Sequence, residues 1–175
     1  MELLERFTRG DLEAFEILFR QFQNEVYGWI ARIVRDPGVA EDLTVETFWR
    51  IYQAHARFDP ARRFGAWARR VATNVALDHL RHVRPEIEFV EFPEDLSQGP
   101  PPDPAVQQDI RERIERAFSQ LPAKLQVAAT LALIEEEPYE EIAEALGISV
   151  GTVKSRVFRA IRLLRKKLKR LGIEP

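Results

Sequence analysis

The chain has 175 residues, of which 45% are hydrophobic and 31% charged, a composition ordinary for a soluble globular protein of one or two small domains. It contains no cysteine, which excludes disulfides and thiolate metal sites, and its three histidines show no ligand spacing, so neither a metal nor a cofactor is predicted. The formal net charge is -2, which by itself argues against a nucleic-acid partner. The charges are segregated along the chain, however, and local charge is what decides nucleic-acid binding.

The N-terminus has no basic start followed by an apolar run. No stretch approaches the roughly 20 apolar residues that a membrane span needs. The sequence therefore predicts a cytoplasmic protein without membrane insertion.

The first half of the chain is predicted to hold three amphipathic helices. Thr8 and Asp11 resemble a start signal for a long helix whose apolar period continues as far as Pro37-Gly38. A second helix is expected over residues 39–58 and a third over residues 64–82. No strand pattern competes with these helices anywhere in the chain, so the predicted fold class is all-α.

One face of the second helix combines acids with a tryptophan. Asp42, Glu46, Trp49 and Gln53 follow one another at spacings of four, three and four. A solvated face with one stray aromatic is the simpler interpretation. Tryptophan is, however, enriched at protein interfaces and costly to leave in water, which favours a surface for a protein partner.

The third helix carries a basic stripe formed by Arg70, Asn74, Leu77 and Arg81. Further arginines flank it at Arg62, Arg63, Arg69 and Arg84. Arginine planes, an amide and nearby aromatics suit unstacked bases as well as phosphate. A solvated arginine-rich face explains the same residues equally well.

The helical period fails between the two halves of the chain. Residues 99–104 read Gly-Pro-Pro-Pro-Asp-Pro, and residues 85–109 contain seven acids and no lysine or arginine. Such a segment is typical of a flexible, extended linker, because it lacks the apolar residues that would offset the entropy of ordering. The predicted division is a first domain at 1–84, a linker at 85–108 and a second domain at 109–175.

The second domain begins with two predicted helices and ends with a helix-turn-helix. The apolar spacing marks a helix over residues 110–121, and Pro122 suits the first position of the next helix. Residues 139–156 then describe two helices joined at a fixed angle. Gly147 is expected to end the first of these in the left-handed conformation, and Ser149 to cap the second, which begins at Val150.

The last helix has a polar, cationic face opposite its apolar stripe. Nine lysines and arginines follow Ile148, against Glu174 as the one acid. Such a face is usually only solvated, but a capped turn that presents Thr, Ser and Lys suits a helix entering the major groove of DNA. The candidate DNA-binding residues are Ser149, Gly151, Thr152, Lys154, Ser155, Arg156, Arg159 and Arg162.

The two halves together resemble bacterial sigma factors of the extracytoplasmic function group, which keep the second and fourth conserved regions. The segments that resemble region four include Tyr139-Glu140-Glu141-Ile142-Ala143, Leu146-Gly147-Ile148-Ser149 and Gly151-Thr152-Val153-Lys154-Ser155-Arg156. The segments that resemble region two include Ala40-Glu41-Asp42-Leu43, Glu46-Thr47-Phe48, Ala66-Trp67 and residues 71–81.

The resemblance implies a partner for each surface. RNA polymerase core would be bound through its clamp helices by Asp42, Leu43, Val45, Glu46 and Trp49. The non-template strand of the melted minus-ten element would be held by Arg63, Arg69, Arg70, Asn74, Leu77 and Arg81. The last helix would read the duplex minus-thirty-five element of promoter DNA. Factors of this group often also have an anti-sigma partner.

The chain departs from the family pattern at three positions. Family members usually carry Gln where this chain has Val45, and commonly Arg where it has Thr73 and Gln126. These departures bear on the strength of the polymerase contact and on the promoter sequence.

Two other classes of function share parts of this pattern. An ordinary helix-turn-helix regulator would use the last 38 residues in the same way, but it would need a sensor or a dimerising helix in its first half. An enzyme acting on nucleic acid would need paired carboxylates or histidines at catalytic spacing, and none recurs in the sequence. The sequence therefore predicts no catalytic site.

Overall fold

The computed structural model describes residues 2–83, 105–170 and 172–173, with the side chains of residues 105–108 not included. These residues contain helices and no strand, in agreement with the predicted all-α class. The helices are α1 (Leu3–Thr8), α2 (Leu12–Val34), α3 (Pro37–Gln53), α4 (Phe64–Val83), α5 (Ala105–Ser119), α6 (Ala123–Ala129), α7 (Tyr139–Leu146) and α8 (Val150–Arg170).

Several helix boundaries differ from the predicted ones. Helix α1 was not predicted, and α3 ends at Gln53 before a 3₁₀ turn, His55–Arg57, instead of continuing to residue 58. Helix α5 begins inside the predicted linker, the rest of which lies outside the described residues. Pro122 is the residue that precedes α6 and not its first helical position. A π-helical turn, Thr130–Ile134, follows α6.

Short polar side chains fix the starts of the long helices in the first half. The Asp11 carboxylate accepts from the backbone N–H groups of Glu13 and Ala14 at 2.9 and 3.2 Å, which confirms the predicted start of α2. The Arg6 guanidinium donates to the same carboxylate and lowers the pKa of Asp11. Asp36 caps α3 in the same way, with Pro37 directly after it.

The helix-turn-helix forms at the predicted residues. Gly147 adopts φ 65° and ψ 37°, and the Ile148 N–H donates to the Ala143 carbonyl at 3.0 Å, which closes α7. The Ser149 hydroxyl accepts from the Thr152 N–H at 3.1 Å and caps α8. Both the end of the first helix and the start of the second are confirmed.

The first bundle packs α2, α3 and α4 around an aromatic core. Phe7 from α1 lies within 6.3 Å, centroid to centroid, of Phe58, Phe64 and Trp67, so the extra helix closes one end of this core. At the other end, the buried Trp29 donates from its indole N–H to the Thr73 hydroxyl at 2.9 Å. A satisfied indole in the core holds α2 and α4 in one relative position.

The second bundle packs directly against the first. Helices α6 and α7 contact α4, and the main apolar core continues from α2 and α4 through Val127, Ile142 and Val153. A smaller cluster holds α5 against α8 through Ala117, Leu121, Ala129, Ala160 and Leu164. Helix α4 therefore packs against helices of both bundles. Among the described helices, none is both long and apolar enough to cross a membrane.

We expect Gly147→Ala to lower the free energy of unfolding by about 1–2 kcal/mol, because an L-residue pays that cost in the left-handed conformation. A matched control is Gly151→Ala, where an added Cβ meets only the Ser149 hydroxyl at 3.8 Å and the helical position gains up to about 1 kcal/mol from alanine. Urea denaturation of both variants makes the comparison. Equal stabilities for the two variants would contradict the assigned turn.

Candidate nucleic-acid interfaces

Helix α3 presents an acidic-aromatic face made of Asp42, Val45, Glu46 and Trp49. Val45 is 69% and Trp49 55% exposed, so two large apolar side chains stand in solvent beside the two acids. Leu43, the fifth predicted residue of this group, is half-buried and packs against the core. Exposed apolar groups rimmed by charge are typical of a protein-binding surface.

Arg50 lies at the edge of the acidic-aromatic face and neutralises part of it. Its Nε donates to Glu46 Oε1 at 2.8 Å and its Nη1 to Asp78 Oδ2 at 2.9 Å. These bonds, to Asp78 first and then Glu46, raise the pKa of Arg50. The sequence pattern did not single out Arg50, because its partner Asp78 lies on another helix.

Three residues of the predicted basic stripe on helix α4 and two of its flanking arginines form a surface called here the Arg/Asn face: Arg70, Asn74 and Arg81, with Arg63 and Arg69. Arg70 and Asn74 are exposed, Arg63 lies just before the helix and Arg81 is half-buried. The expectation that Leu77 is exposed on this stripe is wrong in this structure, since its side chain is 7% exposed and belongs to the core. The apolar contacts of α4 extend further around the helix than its sequence period indicates.

Arg69 is the most enclosed arginine of the Arg/Asn face, with its side chain 20% exposed. Its guanidinium lies over the Trp29 ring at 5.4 Å from the centroid, and its Nη2 donates to Glu141 Oε2 at 3.1 Å. Its buried Nε lies 3.6 Å from Glu25 Oε1 and makes no hydrogen bond. The position of Arg69 thus depends on both bundles.

Thr73, one of the departures from the family pattern, is a core residue here. It is fully buried, its hydroxyl donates to the Arg69 carbonyl at 2.7 Å and it accepts from Trp29. An arginine could not occupy this site without displacing the indole. The threonine at this position therefore serves the packing of α2 on α4.

Helix α8 and the start of α6 form an open groove of about 600 Å³, called here the recognition groove. Its lining residues are Pro122, Lys124, Leu125, Ser149, Gly151, Thr152, Ser155, Arg156 and Arg159. Six of the eight predicted residues of the last helix and its cap are thus brought together. Lys154 and Arg162 are exposed but do not line the groove. Lys124 is a cation that the sequence pattern missed, because its place depends on how α6 packs on α8.

Arg156 is the most enclosed cation of the recognition groove. Burial lowers its pKa, and the nearby positive charge of Arg81 lowers it further. Because Arg81 belongs to the Arg/Asn face, the two basic surfaces approach each other at this point.

The sequence matches the family model for Sigma-70 region 2 over residues 18–85 and that for Sigma-70 region 4 over residues 111–164. The RNA polymerase sigma-H factor of Pseudomonas aeruginosa is 36% identical over 97% of this chain and 94% of its own. The ECF RNA polymerase sigma factor SigW of Bacillus subtilis is 31% identical over 96% of each chain. The chain belongs to the extracytoplasmic function group of sigma factors.

The family match divides this sigma factor as the two bundles do. Region 2 covers most of α2 through α4, with the acidic-aromatic and Arg/Asn faces, and region 4 covers the recognition groove. Sigma factors direct core RNA polymerase to specific promoters, and this chain is one of them.

Solved structures show the same fold. CnrH in complex with the cytosolic domain of CnrY has a TM-score of 0.58 at 22% identity and covers 95% of each chain. The sigma factor RpoE of Bartonella quintana, in complex with the anti-sigma factor NepR, has a TM-score of 0.53 at 23% identity, over 89% of this sigma factor and 96% of that chain.

We expect Lys124→Ala to weaken binding to duplex DNA and to reduce the dependence of log K on log salt by about one unit, because a phosphate contact releases about one counterion. Lys169→Ala removes the same charge from the far end of α8, outside the groove. Fluorescence anisotropy across a salt series compares the two variants. An unchanged slope for Lys124→Ala would remove this residue from the DNA-binding surface.

Proposed function

We propose that the three surfaces divide the work of promoter recognition among them. The acidic-aromatic face binds core RNA polymerase, the Arg/Asn face holds the melted non-template strand of the minus-ten element, and the recognition groove reads the duplex minus-thirty-five element. The observation that carries this proposal is the contrast of chemistry: one surface is acidic and apolar, whereas the two others are cationic. Apart from Leu77, whose side chain is buried, every predicted site residue keeps its assigned role in this proposal.

The contact with polymerase is supported by two large apolar side chains that the described part of the chain leaves exposed. Trp49 and Val45 stand in solvent, while Asp42 and Glu46 supply charge for a basic partner helix. Aromatic anchors rimmed by charged groups dominate the energy of many interfaces. The partner side of this contact is the clamp of the polymerase core.

The contact with the melted strand is supported by the amide of Asn74 between two arginines. Asn74 is exposed and lies one helical turn beyond Arg70 on α4. An amide bonds the edge of an unstacked base, and arginines bind phosphate or stack on bases. In a duplex the same base edge is already paired, so the contact favours strand opening.

An anti-sigma factor is a proposed partner on the resemblance to the family. The proposed location is the cytoplasm, where the polymerase acts. The proposed activity is recognition without catalysis, since promoter melting needs binding groups and no reacting side chain.

We expect Arg159→Ala to weaken binding to the minus-thirty-five duplex by about 1–3 kcal/mol if the guanidinium reaches a base edge, with altered sequence preference and an unchanged salt slope. A contact with phosphate alone would cost less and lower the slope by about one unit. Lys166→Ala, further along the same helix, is the control for charge. Binding equal to the parent at every salt concentration would show that Arg159 faces away from DNA.

We expect Asn74→Ala to impair promoter opening while closed-complex binding, which depends on α8, stays nearly unchanged. Permanganate footprinting and transcription on a double-stranded promoter measure the opening step. A premelted template should rescue the variant in part, because it bypasses opening but not the lost base contact. Transcription from the double-stranded promoter at the parent's rate would contradict the single-strand role of this face.

A further inference from the structure

Among the described residues, five ion pairs join the two bundles, and all five have the same polarity. The first bundle supplies the arginine and the second bundle the glutamate of every pair. The pairs are Arg32–Glu137 at 3.0 Å, Arg32–Glu135 at 4.0 Å, Arg35–Glu135 at 3.1 Å, Arg63–Glu144 at 3.2 Å and Arg69–Glu141 at 3.1 Å. The four glutamates lie within residues 135–144, called here the acidic segment.

The acidic segment covers part of the Arg/Asn face. Arg63 and Arg69 donate to its carboxylates, and Arg70 packs against Gly147 just beyond it, where an added Cβ would lie 2.7 Å from the guanidinium. Carboxylates and phosphates are bound by arginine through the same charge-assisted hydrogen bonds. The acidic segment thus occupies groups that the melted strand needs.

The contact is more than a surface encounter of charges. Glu135 and Glu137 are 20% and 19% exposed, and Arg69 is enclosed between Trp29 and Glu141. The apolar core also runs without a break from α4 into α6 and α7. Partly buried pairs are screened less by salt than exposed ones, so this contact persists at ordinary ionic strength.

We propose that the free sigma factor is held closed by the acidic segment, which acts as an internal mimic of nucleic acid and must leave the Arg/Asn face before the melted strand can bind. This inference rests on the proposed function of that face. The closed form lowers the apparent affinity for the strand by the fraction of molecules that are open. The closed form therefore binds non-promoter single strands weakly until another partner opens the molecule.

The closed form carries its own opposing interaction. Arg81 and Arg156 approach each other from the two bundles. Burial of Arg156 is the main cause of its lowered pKa, and the charge of Arg81 is the second. Like charges brought together favour separation. The arginine–glutamate pairs and the shared apolar core act against this repulsion, so removal of a few pairs should shift the balance toward the open form.

The test is a double variant, Glu141→Gln with Glu144→Gln, which breaks the pairs to Arg69 and Arg63 and leaves every arginine in place. Glu136→Gln with Glu140→Gln is the matched control. Both control residues are exposed acids of the same segment without an ion pair among the described residues. Each double variant removes two negative charges, so the two variants change net charge equally. Far-UV circular dichroism and thermal melting check that both variants are folded.

The first measurement is the separation of the bundles. Since the chain has no cysteine, Gln21→Cys and Lys169→Cys place dyes at two exposed positions, one in each bundle, in the full-length protein. Single-molecule energy transfer should show one population for the parent and the control, and an added population of different transfer efficiency for the test variant. Identical distributions in all three proteins would overturn the closed form.

The second measurement is binding of the free sigma factor to a short fluorescent single strand, taken from the non-template strand of a start site mapped with this protein. Each partly exposed pair changes the closing equilibrium by a factor of about 1.5 to 5, so loss of both pairs should make the test variant bind about 2-fold to 25-fold more tightly than the control. Equal binding by the opened variant and the control would overturn the masking role.

The two measurements separate this inference from the proposed function. If the test variant opens, but neither it nor the parent binds the strand and Asn74→Ala transcribes normally, the Arg/Asn face has another role. If the parent binds the strand and Asn74→Ala fails to open promoters, but no variant changes energy transfer, the face is correctly assigned and the closed form is wrong.

Discussion

The pairing of Arg69 with Glu141 is the interaction on which the arrangement of the whole molecule depends. Arg69 lies over the buried Trp29 ring, its carbonyl accepts from Thr73, and its guanidinium donates to a carboxylate of the second bundle. A core tryptophan of the first bundle is therefore linked through one arginine to the helix-turn-helix. A change in the position of α7 would therefore act on the Arg/Asn face through direct side-chain contacts and not through a loop.

Helix α4 has a different task on each of its two sides. Its apolar side, which includes Leu77, must pack in the core, and its opposite side must present arginines and an amide to a ligand. Both tasks are possible because the helical period separates the faces. The second bundle then uses the same helix as its docking site, so the residues that suit DNA also suit the carboxylates of the acidic segment.

Much of the fold follows from local chemistry. Asp11, Gly147 and Ser149 each act within a few residues of their own position, and their capping bonds occur as the sequence indicates. The apolar period likewise places α2, α4 and α8 with small errors at their ends. The family, too, is recognisable in short motifs, because those motifs are the same local signals.

The sequence by itself determined the all-α class, the helix-turn-helix and the candidate residues of the three faces, since each depends on neighbours in the chain or on a helical repeat. Only the tertiary structure decided that Leu77 is buried, that Thr73 accepts from Trp29, and that Lys124 joins the recognition groove. It also decided that glutamates 72 to 105 residues away in sequence pair with the arginines of the first bundle. Such long-range contacts produce no periodic pattern in the sequence, because they depend on which helix faces pack together.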